Sequence, residues 1–126
     1  MSALFRICLV LAALFGFAAV FANAYGAHGA ADPQAREFMR IGATFATVQA
    51  LAVFAAAFAG SHGGRRTASV AAVLFVAGLF LFCGSLWAVA LGAPKTVTMA
   101  TPVGGLAFGV GWLALAWACL TLRKPA

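Results

Sequence analysis

Few side chains in this sequence could do chemistry, and those that could are scattered along it. The two carboxylates, Asp32 and Glu37, share one segment, and the two histidines, His28 and His62, lie in different segments. No Ser–His or Cys–His pair with an orienting carboxylate can be placed in one site, so we find no candidate nucleophile. We predict a protein that is not an enzyme, with no catalytic, cofactor-binding or metal-binding residues.

The three cysteines also lack a motif. Cys8, Cys83 and Cys119 show no C-x-x-C spacing, which gives thiol redox chemistry no basis. We interpret them as small apolar core residues. Haem ligation within one chain is equally unsupported, because His28 and His62 are expected on opposite sides of a membrane and cannot share one iron.

A few polar side chains remain as candidates for binding or for interhelical hydrogen bonds: Asn23, His28, Gln49, Ser85 and Thr101. Gln49 lies about 13 Å below Arg40 along its helix, and Ser85 about 10 Å below Gly92. At these depths, Gln49 and Ser85 can meet. The group predicts either a polar cavity in the outer half of a helical bundle or structural hydrogen bonds between helices, each worth about 0.6 kcal/mol.

The elements that position these residues are hydrophobic helices. Of the 126 residues, 65% are apolar and 8% charged, whereas soluble domains carry about 45–50% apolar and about 25% charged residues. A hydrocarbon core of about 30 Å needs about 20 apolar helical residues. We predict one all-α integral membrane domain over residues 1–126, a four-transmembrane-helix bundle of up-down-up-down topology, with spans at about 4–25, 34–59, 67–91 and 102–122.

The ends of these spans carry the charge and the clearest start signal. Asp32-Pro33 combines an N-cap acceptor with a first-turn proline, so the second helix should begin there. The apolar run before Ala22-Asn23-Ala24 also resembles a secretory signal peptide, but it is slightly long for one, and we expect the segment to be retained. No Asp, Glu, Lys, Arg or His lies within the four apolar runs, at about 7–24, 41–59, 68–91 and 103–122, which argues against proton-coupled transport.

The distribution of basic residues predicts orientation. Five lie on one side (Arg6, Arg65, Arg66, Arg123 and Lys124) and three on the other (Arg36, Arg40 and Lys95). Basic loops stay in the cytoplasm, so we place both termini of this multi-pass protein there. Nucleic acid is not an expected partner, because no segment can display a contiguous basic face.

Small residues predict how the helices pack. Membrane helices associate where small residues allow close approach. On the second helix we expect an inward stripe of Gly42, Gln49, Ala52, Ala56 and Ala59 opposite Leu51, Phe54 and Phe58. On the third helix we expect a similar stripe of small residues, formed by Ala71, Gly78 and Ser85 at a spacing of seven. We assign helix packing to four glycines, the last two of which form a Gly-x-x-x-Gly pair: Gly78, Gly84, Gly105 and Gly109.

Several short stretches together resemble one known family. They are Gly26-Ala27-His28-Gly29, Phe82-Cys83-Gly84-Ser85-Leu86-Trp87, Thr101-Pro102-Val103-Gly104-Gly105 and Gly111-Trp112. The sequence is similar to the YgdD-like family, the domain of unknown function four-twenty-three, which also has a eukaryotic transmembrane relative. The resemblance implies a four-span, multi-pass protein of the bacterial inner (plasma) membrane and supplies no activity. The family usually carries Tyr-Gln and then a His where this chain has Phe45, Ala46 and Gln49, and a Gly where it has Asn23.

Two functional hypotheses follow from these patterns. The first is a non-enzymatic structural or accessory subunit of a larger membrane complex, with the lipid bilayer and other integral membrane subunits, or a second copy, as partners. The alternative is a protein or channel that binds a small solute or a lipid in an outer polar cavity. A cavity beside Gln49 and Ser85 would favour the alternative.

Overall fold

A computed structural model describes residues 2–30 and 32–124, and this part of the chain is all-helical, without a strand. Four helical segments are long and apolar enough to cross a membrane: Ala3–Gly29, Pro33–Ser61, Arg65–Ala90 and Lys95–Leu120. They are called the first to the fourth helix below. The predicted all-α architecture with four spans is confirmed.

The first two helices begin at side-chain caps. Asp32 has an extended backbone, and its carboxylate accepts a hydrogen bond from the Ala35 N–H at 3.1 Å. Pro33 occupies the first helical position, where its missing N–H costs nothing. Ser2 caps the first helix in the same way, since its hydroxyl oxygen accepts from the Phe5 N–H at 3.3 Å. The predicted start of the second helix is confirmed.

Three of the helices contain a turn that is not α-helical. The first helix widens to a π-helix over Tyr25–Gly29, and the third does so over Leu79–Gly84 before it returns to α-helix over Ser85–Ala90. The fourth begins with a 3-10 turn over Lys95–Met99 and continues as α-helix over Ala100–Leu120. Hydrophobic periodicity does not reveal such turns, and π-helical turns often occur at functional sites.

The second and third helices form the centre of the bundle. In each of these two helices, 50% of the most apolar 18-residue stretch is buried, against 22% in the first helix and 28% in the fourth. The first helix packs mainly on the second, and the fourth mainly on the third. The two flanking helices therefore turn most of their surface towards lipid.

The faces of the second helix divide as the sequence predicts. Leu51, Phe54 and Phe58 are exposed, and the small or polar residues of the expected stripe are all buried: Gly42, Gln49, Ala52, Ala56 and Ala59. Among the cysteines, Cys8 and Cys83 are buried and Cys119 is exposed. The interpretation of Cys119 as a core residue was wrong, because its neighbour Ala118 takes the inward position on the fourth helix.

Contacts between helix ends define two ends of the bundle. Gly60 lies against the Phe5 ring, where an added Cβ would be 2.6 Å from the nearest ring carbon. The Arg123 N–H donates to the His62 carbonyl at 2.8 Å. We call this end, which holds residues 2–6, 60–66 and 118–124, the terminal end. The other end, where Gly26 packs against Met39, is called the opposite end.

Candidate functional site

Trp87 sets the register between the second and third helices. Its indole Nε1 donates to the Met39 carbonyl at 3.3 Å. The same ring occupies the space where a Cβ on Gly42 would lie, so the two helices approach closely there. Phe15 of the first helix stacks on the indole, with ring centroids 6.0 Å apart. Met39 and Trp87 are therefore at the same level of the bundle.

The expected contact between Gln49 and Ser85 is not formed. Gln49 lies ten residues beyond Met39, or about 15 Å along the helix, whereas Ser85 is only two residues, about 3 Å, from Trp87. The estimate from sequence measured the depth of Gln49 from Arg40 and the depth of Ser85 from Gly92. Because Arg40 and Gly92 are not level in the bundle, it placed the two side chains too close together.

Gln49 pairs instead with a tryptophan of the fourth helix. Its side chain is only 5% exposed, and its Oε1 accepts a hydrogen bond from Trp112 Nε1 at 2.8 Å. Trp112 also meets the Phe75 ring edge-on, with centroids 5.3 Å apart. Sequence reasoning missed this partner. The available signal was a tryptophan in the middle of a span, since an indole N–H in hydrocarbon must find an acceptor.

Ser85 and Thr101 form a third interhelical hydrogen bond. Ser85 follows the π-helical turn Leu79–Gly84, and its hydroxyl donates to the Phe82 carbonyl at 3.0 Å. The hydroxyl oxygens of Ser85 and Thr101 are 2.5 Å apart. Because the single Ser85 proton is directed at Phe82, Thr101 is the donor to Ser85. This bond ties the third helix to the start of the fourth.

Asn23 and His28 lie apart from these bonds, exposed at the opposite end. Asn23 lines a cavity of about 450 Å³, which is also lined by Gly26, Ala27, Pro33, Arg36, Glu37 and Arg40. Glu37 and Arg40 form an exposed ion pair there. His28 belongs to the π-helical end of the first helix and is not among the lining residues. The structure brings together Ser85 and Thr101, and places Gln49, Asn23 and His28 at three other positions.

The four glycines assigned to packing have different surroundings. A Cβ on Gly78 would lie 2.5 Å from the Phe108 ring and 3.0 Å from the Gly104 carbonyl oxygen. Gly84 and Gly105 have only ordinary van der Waals neighbours, at 3.9 Å and 3.8 Å. Gly109 is exposed, and nothing lies within 4 Å of a Cβ placed there.

The inward face of the fourth helix is one residue away from the Gly-x-x-x-Gly pair. At Gly104 a Cβ would overlap the backbone nitrogen of Phe82, and at Gly111 it would lie 3.0 Å from the Phe75 ring. One residue is about 100° of helix rotation. Gly105 and Gly109 are consequently turned away from the closest contacts within the bundle.

The polar groups of the interior satisfy one another. Among residues 2–30 and 32–124, every buried side-chain nitrogen or oxygen has a hydrogen-bond partner. In the same part of the chain, no group of three or more His, Cys, Asp or Glu residues could hold a metal ion. The buried polar side chains of this part of the chain are therefore used in hydrogen bonds within the protein.

A second cavity, of about 550 Å³, lies at the terminal end. Sequence reasoning did not identify it as a site, because the basic residues of this end were used only to predict orientation. Its lining residues come from the start of the chain, from the end of the second helix through to the start of the third, and from the segment after the fourth: Ser2, Phe5, Ala57, Gly60, Ser61, Gly63, Arg65 and Arg123.

Comparison with known families identifies the family of this chain. Residues 22–105 match the family model described as "Protein of unknown function (DUF423)". The chain belongs to this family. The part of this DUF423 chain that the family model matches contains Gln49, Ser85 and Thr101, and it ends before Trp112.

Relatives of this DUF423 protein cover most of its length. A UPF0382 membrane protein of Haemophilus influenzae is 32% identical over 112 residues, which are 86% of this chain and 90% of that protein. YwdK of Bacillus subtilis is 30% identical over 112 residues, covering 86% and 91%. The inner membrane protein YgdD of Escherichia coli K12 is 30% identical over 129 residues, covering 94% and 93%. The resemblance to the YgdD-like family is confirmed, and no solved structure matches.

Proposed function

We propose that this protein is a non-enzymatic structural or accessory subunit of a larger membrane assembly, and that it contacts its partner through the fourth helix. The observation that carries this proposal is the position of the Gly105-x-x-x-Gly109 pair. Gly109 is exposed with open space beside it. The side of the fourth helix that carries Gly109 is therefore open to a helix outside the bundle, while a Cβ added at Gly105 would make only an ordinary contact with Phe82, at 3.8 Å.

Small residues on a lipid-facing surface favour such a contact. Lipid chains are as apolar as leucine, so helices associate in membranes where glycine or alanine lets two backbones approach. Ala116 is exposed seven residues after Gly109, which places it on the same helix face. The partner we propose is a membrane helix of another subunit or of a second copy of this chain.

The interior supports a role without catalysis. The buried Gln49 and Ser85 are both engaged in hydrogen bonds between helices, and the apolar runs carry no Asp, Glu, Lys, Arg or His. Proton relays and transport sites in membranes use such ionisable groups. The interior polar residues are accounted for by holding the helices together.

The test is the mass of the complex released by a mild detergent. We expect native mass measurement of the wild-type protein to show a species heavier than the monomer. Gly109→Leu should remove it, because a leucine keeps a second backbone away. Gly16→Leu is the matched control, since Gly16 of the first helix also has nothing within 4 Å. A lone wild-type monomer, or equal loss in both variants, would contradict the proposal.

The proposed orientation places the terminal end in the cytoplasm. Five basic residues lie there, against three at the opposite end, where both acidic residues also lie. Basic residues near span ends favour the cytoplasmic side. A fluorescent protein that matures only in the cytoplasm, fused after residue 126, should be bright. A dark fusion combined with an active periplasmic reporter at the same position would reverse the orientation.

A binding role remains as a second candidate because of the cavity at the opposite end. Its wall includes the exposed amide of Asn23 next to the Glu37–Arg40 ion pair, which suits a small polar solute or a lipid headgroup. Asn23→Leu should then abolish protection of a nearby reporter cysteine at position 27 by the bound molecule. Unchanged labelling of that cysteine in wild type and variant would remove this candidate.

A further inference from the structure

The cavity at the terminal end combines a charged rim with a buried apolar floor. Phe5 and Ala57 on its floor are each only 4% exposed. Arg65 and Arg123 on its rim are exposed. The cavity volume of about 550 Å³ is in the range of small-molecule sites, which is about 300–1,000 Å³.

The guanidinium groups of the two rim arginines have N–H donors that are not used within the described residues. One Nη of Arg123 donates to the Ser61 carbonyl at 3.1 Å, which uses one of the five N–H groups of its guanidinium. The Arg65 guanidinium has no hydrogen-bond or ion-pair partner among the described residues. Ser2 adds a hydroxyl, whose oxygen accepts from the Phe5 N–H and whose proton can be donated to a ligand.

The charge around this cavity is of one sign. Arg6, Arg66 and Lys124 lie close to it in the chain, and both acidic residues of the protein lie at the opposite end. Among residues 2–30 and 32–124, no side-chain carboxylate therefore lies near the two rim arginines. The third helix also starts here, at Arg65 and without a side-chain cap, so its dipole adds partial positive charge.

We propose that this cavity binds the phosphodiester headgroup of an anionic phospholipid. Guanidinium groups match phosphate oxygens with paired hydrogen bonds. The apolar floor beside Phe5 suits the glycerol and the start of an acyl chain. Basic pockets between membrane helices are known to take anionic headgroups. This proposal does not depend on the proposed subunit role, because it uses the terminal end and not the exposed face of the fourth helix.

The test measures lipid bound to the purified full-length protein by native mass spectrometry during titration with phosphatidylglycerol. We expect one lipid per chain to bind most tightly. The double variant Arg65→Gln/Arg123→Gln should weaken this binding about 30-fold, since each basic residue at an anionic lipid contributes about a fivefold factor. Arg66→Gln/Lys124→Gln is the matched control, with the same loss of charge at the same end but away from the cavity lining, and should change binding by about twofold at most at moderate salt.

Three further arms make the result decisive. Equal loss in the two double variants would overturn the site, because the effect would then be diffuse charge. Equal binding of zwitterionic phosphatidylcholine would overturn the requirement for an anionic lipid. Displacement of phosphatidylglycerol by inorganic phosphate at equal concentration would identify free phosphate as the ligand and overturn the lipid assignment. If the double variant does not fold, Arg65→Gln alone serves, with an expected loss of about fivefold.

Discussion

The hydrogen bond between Gln49 and Trp112 gives the sharpest prediction about stability. Trp112→Phe keeps an aromatic ring against Phe75 but removes the indole donor, which leaves the buried Gln49 amide oxygen unpaired. Gln49→Leu leaves the indole N–H unpaired instead. An unsatisfied polar group costs about 1–3 kcal/mol, and interhelical bonds in membranes average about 0.6 kcal/mol, with a maximum of about 1.7. We expect each single variant to lose about 1 kcal/mol.

The double variant decides whether the two losses share one cause. Gln49→Leu/Trp112→Phe removes both polar groups, so its loss should be close to that of one single variant, with a coupling energy of about 0.6–1 kcal/mol. The assay is reversible unfolding in mixed micelles of mild detergent and SDS, followed by far-ultraviolet circular dichroism. Thr47→Val is the control partner, because the Thr47 hydroxyl donates to the Ala43 carbonyl of its own helix at 2.9 Å. Strictly additive losses for Gln49 and Trp112 would refute the bond.

Other predictions concern glycine packing, the hydrogen bond between Ser85 and Thr101, and the cap of the second helix. Gly104→Ala should destabilise the fold by about 1–3 kcal/mol, because the added Cβ meets the Phe82 backbone. Gly109→Ala should stabilise it by about 0.5–1 kcal/mol, since alanine is the better helix former in open space. Equal effects of the two substitutions in the same unfolding assay would contradict this contrast. Thr101→Val should cost about 0.6 kcal/mol by removing the donor to Ser85, and a loss that persists unchanged in a Ser85→Ala background would show that the bond is not responsible. Asp32→Ala should cost about 1 kcal/mol and Asp32→Asn much less, as measured by thermal unfolding, because only alanine abolishes the N-cap acceptor.

The spans and their inward faces could be predicted because they depend on local sequence. Composition and the lengths of apolar runs determine how many helices can cross the membrane. Asp32-Pro33 is a complete local start signal, because the Asp32 carboxylate caps the helix by accepting from the Ala35 N–H, three residues later. On the second helix, small residues recur at helical spacing opposite Leu51 and Phe54, so the buried face follows from periodicity alone.

The candidate sites could not be predicted in the same way because they depend on register between helices. The bond from Trp87 to Met39 sets the level of the second helix against the third, and nothing local to either helix reveals it. A shift of that register is what separates Gln49 from Ser85. Likewise, Gly104 and Gly105 are adjacent in sequence, and only the tertiary packing decides which of them faces Phe82.

The most direct test of the proposed subunit role is photo-cross-linking in intact membranes. A cysteine placed at residue 109, in a background with the exposed Cys119 replaced by alanine, would carry a photoreactive maleimide, and the control would carry it at residue 16. We predict a discrete product heavier than the monomer from position 109 and none from position 16. Cross-linking only to lipid at position 109, or the same product from both positions, would contradict a partner helix on the exposed face of the fourth helix.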